Sequence, residues 1–197
     1  SFFEREGNDW VFMERTFAYD RDGLNGYGRS VAIDGTYAVV GGFLTRVDGN
    51  NGAGAAFVYE LINGVWVEVQ RLESPAVDLG DNFGVSVAVS GETIIVGENF
   101  CEGISANTGA AHVYERTAGV WTFSQTLSAA DGINGDRFGA AVAIDGDYAV
   151  IGSSFGDLTG VTTNTGAAYV FEWVGGPVSQ VAKLTSIACQ ANGTVQF

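Results

Sequence analysis

The stretches YGRSVAIDGTYAVVGG at 27–42, FGVSVAVSGETIIVGE at 83–98 and FGAAVAIDGDYAVIGS at 138–153 lie over one another at spacings of 56 and 55 residues. Each is an alternating apolar run, a turn signal and a second apolar run, which is the pattern of a β-hairpin. The turn signals are Asp34-Gly35, Ser90-Gly91 and Asp145-Gly146, with Gly supplying the positive φ that a tight hairpin demands.

Working outward, each hairpin is followed by a polar loop of 12, 11 or 13 residues and then by Gly-Ala-Ala. The Gly-Ala-Ala leads into FVYE at 57–60, HVYE at 112–115 or YVFE at 169–172, whose β-branched and aromatic residues predict a third strand. A fourth strand reads WVEVQRL from Trp66, WTFSQTL from Trp121 and VSQVAKL from Val178, the last copy having lost its Trp and Gln. Before the first full copy, FFEREGNDWVFMERTF at 2–17 matches a third and fourth strand, with Trp10 at the Trp position.

Four strands per unit is the blade pattern of a β-propeller, and no stretch has helical periodicity. The predicted class is therefore all-β: tandem four-stranded antiparallel β-propeller blades, three complete plus a half blade. The boundaries fall at 1–26 for the half blade and linker, at 27–82, 83–137 and 138–186 for the blade repeats, and at 187–197 for a C-terminal segment suited to donating a strand. Small Gly and Ala residues at recurring positions fit close blade-to-blade approach.

These motifs resemble the FG-GAP repeat family, which includes the propeller head of integrin α subunits. The resemblance runs from Phe2 to about Thr185 and rests on the Phe-Gly openings, on VVGG, IVGE and VIGS, and on GAAFVYE, GAAHVYE and GAAYVFE. It implies an extracellular or cell-surface protein of recognition, adhesion or matrix assembly, without catalysis. Integrin-type repeats carry a calcium loop between their first two strands, but that place holds only Asp34-Gly35, Ser90-Gly91 or Asp145-Gly146 here. That calcium site is not carried over.

Composition agrees with such a protein. The 197 residues are 46% hydrophobic, enough for a substantial core. No apolar run approaches the roughly 20 residues of a membrane-spanning helix. A net charge of −14 repels a phosphate backbone and excludes nucleic acid as a partner. The sequence starts at Ser1 without a leader, as expected of a processed secreted chain or of a piece of something longer. Cys101 and Cys189 fit no metal-binding spacing; they form a candidate disulfide worth up to ~4–5 kcal/mol, with intrachain, interchain and free states all open.

Acidic clusters precede each aromatic-Gly opening: Asp20, Asp22 and Asn25; Asp78, Asp81 and Asn82; Asp131, Asn134 and Asp136. Such oxygen-rich loops are candidate calcium sites, since Ca²⁺ takes about 6–8 oxygen ligands, but Asp and Asn are also ordinary turn formers. No cofactor is required otherwise. The loops holding Asp48, Asn50 and Asn51, Glu102 and Asn107, and Asp157 and Asn164 are the candidate recognition surface for an extracellular protein or glycan. Trp10, Trp66 and Trp121 suit either sugar stacking or packing, and their recurrence favours packing. His112 is the sole histidine and substitutes for Phe57 and Tyr169, so no catalytic triad or multi-His metal site is expected. Asn192-Gly193-Thr194 is a glycosylation acceptor pattern.

Three and a half blades fall short of the about 4–8 that close a ring, and open edges invite pairing with another chain. The sequence thus predicts a non-enzymatic structural or adhesive module that associates with itself, as a ring or a filament, or with the remainder of a longer propeller. A ligand-binding recognition domain is the alternative.

Overall fold

The computed structural model describes residues 1–16, 26–101, 107–156, 164–173 and 178–185. Among these there are fourteen strands and no helix. A two-stranded sheet, β1 (Phe2–Glu6) and β2 (Asp9–Glu14), comes first. Three four-stranded antiparallel sheets follow in strict chain order. Blade 1 is β3 (Tyr27–Asp34), β4 (Tyr37–Gly42), β5 (Ala55–Ile62) and β6 (Val65–Leu72). Blade 2 is β7 (Phe83–Ser90), β8 (Thr93–Glu98), β9 (Ala110–Thr117) and β10 (Val120–Leu127). Blade 3 is β11 (Phe138–Asp145), β12 (Tyr148–Ser153), β13 (Ala167–Glu172) and β14 (Ser179–Thr185).

The hairpin turns sit one residue later than their sequence signals suggest. Asp34 pairs with Tyr37, Ser90 with Thr93 and Asp145 with Tyr148, so the acid or serine closes the strand and Gly opens the turn. Gly35, Gly91 and Gly146 have positive φ and the residues after them do not, which is the type II′ form of the two-residue hairpin, with Gly at the first central position.

The core lies between sheets rather than within one. Val39, Ala56, Val58 and Leu72 of blade 1 pack on Phe83, Val87, Val89, Ile94, Val96, Tyr114 and Trp121 of blade 2. Ile95, Ala111, Val113 and Leu127 of blade 2 pack on Phe138, Ala149, Ile151, Tyr169 and Phe171 of blade 3. Alternating strand residues therefore serve two different neighbours, as the pleat requires.

The sequence motifs encode the seam between blades. The Phe-Gly opening is a bulge: Phe83 pairs with Glu98, and the ladder resumes only at Ser86 with Gly97. Gly84, at φ 86°, turns its carbonyl out of the ladder toward blade 1. There it accepts a 2.8 Å bond from Ser30 Oγ, and Gly139 accepts the same bond from Ser86 at 2.7 Å. The penultimate glycine of the second strand makes this approach feasible, because a Cβ on Gly41 would lie 2.0 Å from the Gly84 oxygen, and one on Gly97 equally close to Gly139. The loop before the third strand adds another tie, with Phe83 N–H donating to Ala53 O at 2.9 Å and Phe138 N–H to Thr108 O at 2.8 Å.

Candidate functional site

The outer strands carry a second seam. Gln70 on β6 donates to the Trp121 carbonyl at 2.6 Å and accepts the Trp121 N–H at 2.9 Å. Glu14 takes the Trp66 N–H at 2.5 Å, and Gln125 donates to the Val178 carbonyl at 3.4 Å. One position per fourth strand thus grips the next blade. In blade 3 both grips are missing, since Ala141 stands where Ser30 and Ser86 stand, and Ala182 stands four residues after Val178, as Gln125 does after Trp121.

At the two ends of the array, positions that are covered inside it face water. On blade 1, Val31 and Ile33 are 69% and 64% exposed, whereas Val87 and Val89 of blade 2 are 7% and 8%. An open cleft of about 370 Å³ runs here between β1–β2 and blade 1, lined by Phe2, Thr16, Tyr27, Val31, Ile33 and Val39. The Tyr27 hydroxyl bonds Thr16 at 3.0 Å and Tyr59 at 2.7 Å, and Tyr59 donates to Glu68 at 3.0 Å. Burial, foremost, raises the pKa of both phenols, so both hydroxyls stay protonated at neutral pH. On blade 3, Val150 and Leu184 are 40% and 53% exposed, against 0% for Val39 and 2% for Leu72. The tryptophans divide in the same way: Trp66 and Trp121 are buried by packing, while Trp10 is 69% exposed.

The predicted loop residues are placed as follows. Asp48, Asn82, Asn107 and Asn164 all take positive φ, between 48° and 62°, the turn conformation that Asn and Asp accept readily. Val47 and Asn50 exchange backbone bonds of 2.8 and 3.2 Å, and Asp48 and Asn51 beside them are exposed. Asp78 and Asn134 are exposed and Asp81 is buried. Asp136 is buried and caps its own loop, accepting the Ile133 N–H at 2.9 Å. Asp131 accepts from Lys183 Nζ at 2.7 Å and from the Tyr169 hydroxyl at 3.0 Å. Burial alone would raise its pKa, but these two donors outweigh it and hold the carboxyl below the usual range. Among the described residues no cluster of three or more His, Cys, Asp or Glu is arranged to hold a metal. Asp20, Asp22, Asn25, Glu102, Asp157, Cys189 and Asn192 lie outside the described residues.

The structure brings together a pair that the sequence reading missed. His112 Nε2 lies 2.6 Å from Glu98 Oε2, with both side chains almost fully buried. Ser74 Oγ donates to the same carboxylate oxygen at 3.1 Å, and His112 Nδ1 meets Thr126 Oγ1 at 3.0 Å. The corresponding residues are Gly42 and Phe57 in blade 1 and Ser153 and Tyr169 in blade 3. His112 is thus half of a coupled replacement, and its signal in the sequence was Glu98 at the end of IVGE. Nearby, burial above all, and then the negative charge and hydrogen bond of Glu98, push the Cys101 thiol up to about 12, so it is not a thiolate at neutral pH.

Stacked four-stranded sheets joined in this way define a β-propeller-repeat protein. The FG-GAP repeat model matches residues 10–59, 66–114 and 121–171, and the chain belongs to that family. Each match starts on the Trp of a fourth strand and ends on the third strand of the next sheet, so the family's unit straddles the seam rather than one blade. A search of curated proteins found no match.

Proposed function

We propose that this chain is a non-enzymatic structural or adhesive β-propeller-repeat module of the extracellular space, which acts by joining blades to copies of itself or to the remainder of a longer propeller. The observation that carries this reading is the contrast between interior and end faces. Val31, Ile33, Val150 and Leu184 are open to water at positions whose interior equivalents are buried. A neighbouring blade would remove that apolar area from solvent, at roughly 25 cal/mol per Å². FG-GAP membership supports an extracellular or cell-surface setting. A non-catalytic role is supported by the chemistry-bearing groups, since Glu98 Oε2 and His112 are bonded to each other away from solvent and the Cys101 thiol stays protonated. Electron microscopy and mass measurement of the native particle test the reading. Rings, dimers or fibres are expected, and a well-folded chain that joins no other blade would overturn it.

A second reading, a recognition domain for glycan or protein with calcium dependence, is favoured by the hydrogen-bonded loop that presents Asp48 and Asn51. Binding to a glycan array that disappears with chelator would support it over assembly.

A further inference from the structure

Where blade 1 meets blade 2, four side chains form one cluster. Arg116 stands over the Tyr37 ring at 5.0 Å and pairs with Glu60 at 3.7 Å. The Tyr37 ring meets Trp121 edge-on at 5.5 Å, and its hydroxyl donates to Glu60 at 3.4 Å. The donor blade contributes Tyr37 and Glu60, which are cross-strand partners on β4 and β5. The receiving blade contributes Arg116 and Trp121, cross-strand partners on β9 and β10.

Each half of this cluster occurs once more, unpaired, at opposite ends of the array. Tyr148 and Glu172 are cross-strand partners on β12 and β13 of blade 3, and the Tyr148 hydroxyl again donates to the glutamate. Arg5 and Trp10 are cross-strand partners on β1 and β2 of the half blade. Tyr148 is 52% exposed and Trp10 69%, while Trp121 in the assembled cluster is 3%. The half blade contains the two strands that supply Arg and Trp, and blade 3 contains the two that supply Tyr and Glu.

Resting on the assembly reading above, we propose that a second copy of this chain is the occupant. Blade 3 of one copy docks head to tail on the half blade of the next, with Arg5 on Glu172 and Trp10 against Tyr148. Ala141 agrees with this contact. It leaves out the serine grip that Ser30 and Ser86 place on the first-strand glycine of the following blade, a bond that the Arg5, Trp10, Tyr148 and Glu172 cluster does not use. Ala182 leaves out the Gln grip on the fourth strand, so the joint between copies is weaker than the seams within one. Contacts of this heterologous kind close into a ring if the rotation allows and otherwise continue as a filament.

Sedimentation equilibrium of the 197-residue chain across a concentration series tests the contact. Arg5→Glu and Glu172→Arg are each expected to weaken association by roughly tenfold or more, and the R5E/E172R double variant to recover it. Trp10→Ser, at an exposed position, is expected to weaken association while leaving the thermal midpoint unchanged at dilutions where both chains are monomeric. Association that persists in all three single variants, or a double variant that recovers nothing, overturns this contact while leaving self-assembly standing. A wild-type chain that stays monomeric overturns both.

Discussion

Ser86 Oγ lies 2.7 Å from the carbonyl oxygen of Gly139, a hydrogen bond that joins blade 2 to blade 3 and repeats the one between Ser30 and Gly84. It gives the Phe-Gly motif a physical meaning. The glycine's positive φ frees a carbonyl from its own ladder, and the serine of the preceding blade occupies it.

Gly97→Ala should destabilise the chain by about 2–3 kcal/mol or more, because the new methyl would fall 2.0 Å from that carbonyl. Gly152→Ala, the same motif position in blade 3, meets nothing nearer than 3.4 Å and should be close to neutral. Ser86→Ala should cost about 1–2 kcal/mol by leaving the carbonyl without its donor. Urea midpoints of the three variants measure the differences.

The fourth-strand grip should vary along the array. Gln70→Ala loses two bonds, at 2.6 and 2.9 Å, and should cost about 1–3 kcal/mol. Gln125→Ala loses a single bond at 3.4 Å and should cost less than about 1 kcal/mol. Equal losses in thermal unfolding would contradict this ranking.

His112→Tyr restores the aromatic type of blade 3 but strands a buried carboxylate, and should cost about 3–5 kcal/mol. The double variant E98S/H112Y, which places the blade 3 residue types of Ser153 and Tyr169 at these two positions, should recover most of that loss. A double-mutant cycle with no coupling between the two positions would show that the pair is not a unit.

The Asp131–Lys183 pair makes a small pH-dependent contribution, below about 1 kcal/mol because the side chains are partly exposed. Asp131 titrates lower in the folded chain than in the unfolded one. Its contribution is therefore complete above the usual carboxylate range and fades as pH falls through the folded value. Lys183 titrates higher when folded, so its contribution holds below the usual lysine range and fades as pH rises through its own folded value. Asp131→Asn should flatten the acid limb of the stability profile, as followed by urea midpoints from neutral to acid pH.

The strands were legible because alternation is local: YAVV, TIIV and YAVI each state their own two faces. Repetition then gave the four-stranded unit and the extra half. The grip residues Ser30, Ser86, Gln70 and Gln125 were visible as recurring letters, but their role was not, since each bonds a residue more than fifty positions away. Glu98 was hidden for a similar reason. Its partner His112 lies across a strand pair, and only the register of β8 on β9 brings the two side chains together.

By itself, the sequence determined the strand pattern, the blade count and the family, because all three follow from short-range periodicity repeated at a fixed spacing. Which copies of a repeated residue are buried was decided only by the tertiary structure. Trp10 and Trp121 occupy the same place in the repeat, and one is exposed while the other is enclosed. Burial belongs to the neighbour, and a residue's neighbour in a stacked array is another blade.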